Sequence, residues 1–122
     1  MGGGIDFSNY TLLANTNDTI PNQSTQTYTI SYTFTNAVKN AIAIFFVSTD
    51  LNGTLTLNTP TISSGDVKCT PITTKNVINY ASAKECFCLC MIDADAGATI
   101  SATCSVGGGY YGMRGITIYI EF

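Results

Sequence analysis

The stretch STQTYTISYTFT (residues 24–35) alternates without a break. Thr25, Thr27, Thr29, Ser31, Thr33 and Thr35 fall on one side, and Gln26, Tyr28, Ile30, Tyr32 and Phe34 on the other. A period of two is that of an extended strand with one wet and one buried face, whereas a helix repeats every ~3.6 residues. The pattern returns in ATISATCSV, which turns Ala98, Ile100, Ala102, Cys104 and Val106 inward, and in ITIYIEF, which does the same with Ile116, Ile118, Ile120 and Phe122. TLTLNT (54–59) is a shorter instance. β-branched and aromatic residues dominate these runs, as pleated surfaces favour.

Two further runs, AIAIFFV (41–47) and CFCLCMI (86–92), are apolar on both faces. They are too short for uncapped buried helices and read as strands covered from both sides, by a second sheet and by a neighbouring subunit or loop. Asn52-Gly53 predicts a type I′ hairpin between FFVSTD and TLTLNT, because such a turn needs positive φ at both central positions. SSGD (63–66) and DAG (95–97) punctuate similarly, and only NVINYASAKE (76–85) leaves room for a helical turn. The expected fold is all-β: an antiparallel β-sandwich of jelly-roll type with about eight strands. A glycine joint at residues 1–4 (MGGG) precedes a single domain at 5–122.

Charged residues make up 11% of the chain, against about 25% in an average soluble domain, and Thr, Ser and Asn take their place. Such a surface leaves room for apolar area between subunits. The net charge is −3. Lys39, Lys68, Lys75, Lys84 and Arg114 are scattered, with no stripe to follow a phosphate backbone, so nucleic acid is excluded as a partner. The longest apolar run falls far short of the ~20 residues of a spanning helix, so no membrane insertion is expected. MGGGIDFSNY has neither the basic nor the apolar region of a signal peptide. Asn-x-Ser/Thr at Asn9, Asn17, Asn22 and Asn52 is what chance gives in so Asn- and Thr-rich a chain.

The chain has no histidine. A Ser-His-Asp or Cys-His centre therefore cannot form within it, and no carboxylate pair marks a glycosidase dyad. The expectation is a protein that is not an enzyme and needs no cofactor. Of the five cysteines, Cys86, Cys88 and Cys90 share one strand face about 7 Å apart, too far for thiolates on one zinc, so no metal is expected. They read as small buried hydrophobes in a reducing compartment, with a cross-strand pair of Cys86 or Cys88 with Cys104 left open. Asp93 and Asp95 begin like a calcium loop but lack its later ligands, which makes them a weak calcium candidate. Gly107, Gly109 and Gly112 match G-x-G-x-x-G, yet a strand follows them and no βαβ unit exists for a dinucleotide. The glycines serve either a close backbone approach or a loop presenting Tyr110 and Tyr111. Those two tyrosines, with Arg114 beside them, are the candidate ligand contacts. Phe45, Phe46, Cys86, Phe87, Cys88, Leu89 and Cys90 are the candidate subunit interface.

DADAGATISATCSVGGGYYGMRGITIYIEF (93–122) resembles the closing hairpin of C1q/TNF-like jelly rolls, with a penultimate strand, a glycine and aromatic loop, and a terminal strand. GGGIDFSNYTLLA followed by TQTYTISYTFT is similar to the start of such domains where they cap bacteriophage tail fibres and other receptor-binding proteins, particularly in phages and prophages of gut bacteria. The resemblance implies a homotrimer packed through an apolar sheet face, with loops at one end meeting a host-surface glycan or protein. It also implies a virion protein made in the host cytoplasm and acting outside the cell. Two other classes stay in view: a structural virion protein, either capsid decoration or fibre spacer, and a cellular C1q-like or calcium-dependent lectin module.

Overall fold

Alternation along the strands dictates two packed sheets, and the computed structural model has them. It describes residues 7–21, 25–50, 53–77, 83–108 and 111–121. A 3-10 turn at Phe7–Asn9 leads into β1 (Tyr10–Pro21), followed by β2 (Gln26–Thr33), β3 (Val38–Asp50), β4 (Thr54–Leu57) and β5 (Thr61–Ile62). Then come β6 (Gly65–Cys69), β7 (Thr73–Val77), β8 (Ala83–Ala94), β9 (Thr99–Gly107) and β10 (Tyr111–Glu121). The larger sheet runs β1-β10-β3-β8, with β6 and β7 both on the far edge of β8; the smaller runs β2-β9-β4, with β5 also on β9. All pairings are antiparallel. The fold is therefore an all-β antiparallel sandwich, jelly-roll-like in that β1 and β10, far apart in sequence, are neighbours.

The described residues form ten strands where about eight are expected, because two edge strands are split. Pro60 separates β4 from β5, and Pro71 separates β6 from β7. Proline has no N–H for a ladder and breaks an edge into short segments.

Several turn signals mark crossovers between sheets. Residues 51–52 lie outside the described residues, but β3 and β4 belong to different sheets, so no hairpin joins them. The Asp95–Gly97 turn, closed by Ala98 N–H donating to the Asp95 carbonyl at 3.0 Å, likewise carries the chain from β8 to β9 in the opposite sheet. β9 and β10 also part into different sheets, where the sequence suggests a closing hairpin. At 76–85, β7 runs to Val77 and β8 starts at Ala83, so strands enter the proposed helical turn from both ends.

The inward sets follow the alternation for the most part, although Gln26 is exposed, Tyr28, Tyr32 and Ile120 are half-buried, and Phe122 lies outside the described residues. Ala98, Ile100, Ala102, Cys104 and Val106 of the β9 run are all buried, as are Ile30, Phe34, Ile116 and Ile118. β3 and β8 face them with Ala41, Ala43, Phe45 and Val47, and with Cys86, Cys88, Cys90 and Ile92. Phe45, Cys86, Cys88 and Cys90 are thus covered by the chain's own second sheet, and the interface role expected of them is corrected; the partners of Phe45 and Cys88 across the ladder are each other. Their neighbours Phe87 and Leu89 point outward, 38% and 40% exposed, and Phe46 is half-buried on that same outer face. Phe45→Ala should lower the unfolding free energy by about 3–5 kcal/mol. Thr56→Ala, at an exposed position of β4, should change it by less than about 0.5 kcal/mol. Urea denaturation of the two variants checks both.

Candidate functional site

Arg114 is the one candidate contact residue whose side chain the structure describes. On β10 it shares parity with Ile116 and Ile118, and it pairs across the ladder with the fully buried Val47. Its side chain therefore points between the sheets, where the guanidinium lies over the Tyr28 ring of β2, 4.4 Å from the centroid. Nη2 stands 4.0 Å from Oδ2 of Asp18 on β1. Arg114 and Asp18, together with Thr16, Thr29, Ile30, Ser31 and Gly115, line a cleft of about 170 Å³. Cation–π contact and an ion pair are what a mostly buried guanidinium needs to offset its desolvation. The cleft thus offers one guanidinium, one carboxylate and hydroxyl groups.

Tyr110 lies outside the described residues, as does the side chain of Tyr111, which opens β10. The glycines around them serve the crossover from β9 to β10. Gly108 has φ +80°, in the left-handed region that favours glycine. At Gly112 a Cβ would clash with the Ser48 carbonyl oxygen of β3. The close-approach reading of this segment is supported at Gly112, and the positive φ at Gly108.

Asp93 and Asp95 act as local acceptors. Asp93 Oδ1 takes the Asn40 N–H at 2.9 Å, steadying a bulge in β3 where Asn40 has φ +54°. Asp95 takes the Ser64 hydroxyl. Among the described residues no third metal-binding side chain converges on these two acids.

The thiols are closer together than strand spacing suggests. All five cysteines are free, and Cys88 and Cys90 bring their Sγ atoms to 3.9 Å. The ~7 Å between alternate strand positions is a backbone distance, and side chains leaning toward one another close most of it. The ground for excluding a metal is thereby corrected. Cys69, which sequence reasoning passed over, joins the pair from β6, opposite Cys90. Burial pushes the Cys88, Cys90 and Cys104 thiols up; Cys69 and Cys88 add to this at Cys90, while at Cys88 the Cys69 sulfur adds to it and the hydrogen bond with Cys90 opposes it. At Cys104 the Arg114 charge partly opposes the rise.

Compared with protein-family models, curated proteins and solved structures, the chain shows no significant match.

In the reduced, metal-free protein, alkylation under native conditions should modify the partly exposed Cys69 first, and the four buried thiols only on unfolding. Raised thiol pKa values make stability fall with alkalinity. Above about pH 8.5 the unfolded chain releases thiol protons that the folded chain keeps, so the unfolding free energy drops as pH rises. The denaturation midpoint should fall between about pH 8 and about pH 10, with a shallower slope in Cys90→Ala.

Proposed function

We propose that this chain is a non-enzymatic, homotrimeric tip domain of a bacteriophage fibre, attaching the virion to a glycan or protein of a bacterial surface. The observation that supports it most is the difference in kind between the two outer faces of the sandwich. Outside the smaller sheet, hydroxyls pair across strands: Thr33 with Thr99 at 2.8 Å, Thr27 with Ser105 at 3.4 Å, and the Asn58 amide with Thr103 at 2.7 Å. Outside the larger sheet the register sets Ile44 beside Leu89, Phe46 beside Phe87, and Ile42 beside Met91. Tyr119 of β10 and Leu12 of β1 extend the last row, 37% and 53% exposed.

A chain with so few charges presents an apolar sheet face on one side and a hydrated hydroxyl face on the other. Three copies meeting through the apolar faces would bury the first and display the second, the arrangement implied by a C1q/TNF-like jelly roll. The glycine crossover with Tyr110 and Tyr111 then supplies the receptor contacts. Arg114, held by Tyr28 and Asp18, serves mainly to close the sheet edges.

The native mass should be three times 12.9 kDa, unchanged by reductant. Phe87→Asp, at an outward position, should give a folded species of 12.9 kDa. A wild-type monomer would overturn the trimer. Tyr110→Ala and Tyr111→Ala should each weaken binding to host cells about tenfold without altering native mass. Trimers that ignore cells but bind other virion proteins would replace the receptor-binding role with that of a spacer.

A further inference from the structure

Three cysteines from two strands meet at the edge of the larger sheet. Cys88 and Cys90 are fully buried on the inner face of β8. Cys69, at the end of β6, lies opposite Cys90 and is partly exposed. The three Sγ atoms all lie within 4.8 Å of one another. The edge of β8 is covered by β7 up to Phe87 and by β6 from Cys90 onward, so the cluster sits at the break between them. Thr70 spans that break, with its N–H donating to the Leu89 carbonyl at 2.9 Å and its own carbonyl accepting the Cys88 thiol at 3.2 Å. The cluster is thus buried at Cys88 and Cys90 and reaches the sheet edge through the partly exposed Cys69.

We propose that Cys69, Cys88 and Cys90 form a three-thiolate site for a thiophilic d10 cation, Cu(I) or Zn(II). Metal–sulfur bonds of about 2.3 Å place sulfurs roughly 3.8 Å apart in a tetrahedron and roughly 4.0 Å apart in a plane. Cys88 and Cys90 already stand at 3.9 Å. The widest separation the cluster allows, 4.8 Å, needs to close by only about 1 Å to meet those values. The donor set is all sulfur, which soft cations prefer and calcium or magnesium do not.

Three thiols are also one more than a disulfide uses. Binding forms three metal–sulfur bonds and releases the thiol protons to solvent, with no change of oxidation state. Cu(I) would be satisfied by the three sulfurs. Zn(II) would take a fourth ligand, such as water, on the open side. In either case the cation would pin edge strand β6 to β8, making metal binding a source of folding stability. The site stands independently of the fibre-tip reading.

The test uses reduced apo-protein under anaerobic conditions, titrated with Cd(II), whose thiolate charge-transfer absorbance reports binding. Saturation at one equivalent per chain is expected, with more than one proton released per metal and a raised melting temperature. Cys69→Ala should weaken affinity at least about a hundredfold, while Cys86→Ala and Cys104→Ala leave it unchanged. Direct titration of the apo-protein with Cu(I) and with Zn(II), each read by proton release and melting temperature, then ranks the two cations. The proposal is overturned if wild-type protein shows no saturable one-equivalent absorbance. It is equally overturned if Cys69→Ala binds as well as wild type, or if protein isolated without oxidant carries a Cys69–Cys90 disulfide. Proton release by the wild-type protein keeps the test decisive should a variant fail to fold.

Discussion

Removal of the two inner faces from water holds this molecule together, and it is achieved with side chains of small and middling bulk. β9 contributes Ile100, Ala102, Cys104 and Val106; β3 and β8 contribute Ala41, Ala43, Phe45 and Val47 with Cys86, Cys88, Cys90 and Ile92. At about 25 cal/mol per Å² of apolar area, many modest contacts rather than a few large rings supply the driving force. Cysteine serves here first as a hydrophobe of intermediate size. Polar groups enter this interior only with partners: no buried side-chain nitrogen or oxygen among the described residues lacks a hydrogen-bond partner. Arg114, a cation turned between the sheets, comes with a ring and a carboxylate.

Which residues face inward was legible from the sequence, because period two leaves little freedom once one face is apolar. Ile100, Cys104, Ile116 and Ile118 needed nothing more than counting. Where each strand goes next was not legible. A turn signal such as Asn52-Gly53 marks a change of direction without saying whether the following strand joins the same sheet or the opposite one. The expected interface set divides by parity: Phe46, Phe87 and Leu89 point outward, while Phe45, Cys86, Cys88 and Cys90 point inward and are buried.

Arg114 shows the cost of reading a residue from its glycine-rich neighbourhood rather than from its parity. The even positions 114, 116, 118 and 120 run along one face, and that count would have turned the arginine inward. The thiol cluster was hidden for another reason. Two of its members are two residues apart, but the third arrives through ladder register, Cys69 opposite Cys90, which is a property of pairing and not of local sequence. Both sheets also finish in split edge strands, β4 with β5 and β6 with β7, each divided at a proline. Short, broken edges give another chain little to pair with. The broad apolar face is a different matter, since its side chains project from the sheet rather than from its edge.

The pairing of β1 with β10 imposes an order on synthesis. β1 is synthesised before the strand that holds it, with which it pairs from Tyr10 opposite Glu121 to Pro21 opposite Tyr111. β3 faces the same wait on its β10 side. The larger sheet therefore cannot close before β10 has been synthesised, and two unsatisfied strand borders persist until then. Topologies of this kind fold slowly, because loop-closure entropy must be overcome before distant partners meet. Nascent copies growing side by side on one message would hold matching open borders close together. The interval before β10 emerges then bears on whether a copy closes on itself or on its neighbour.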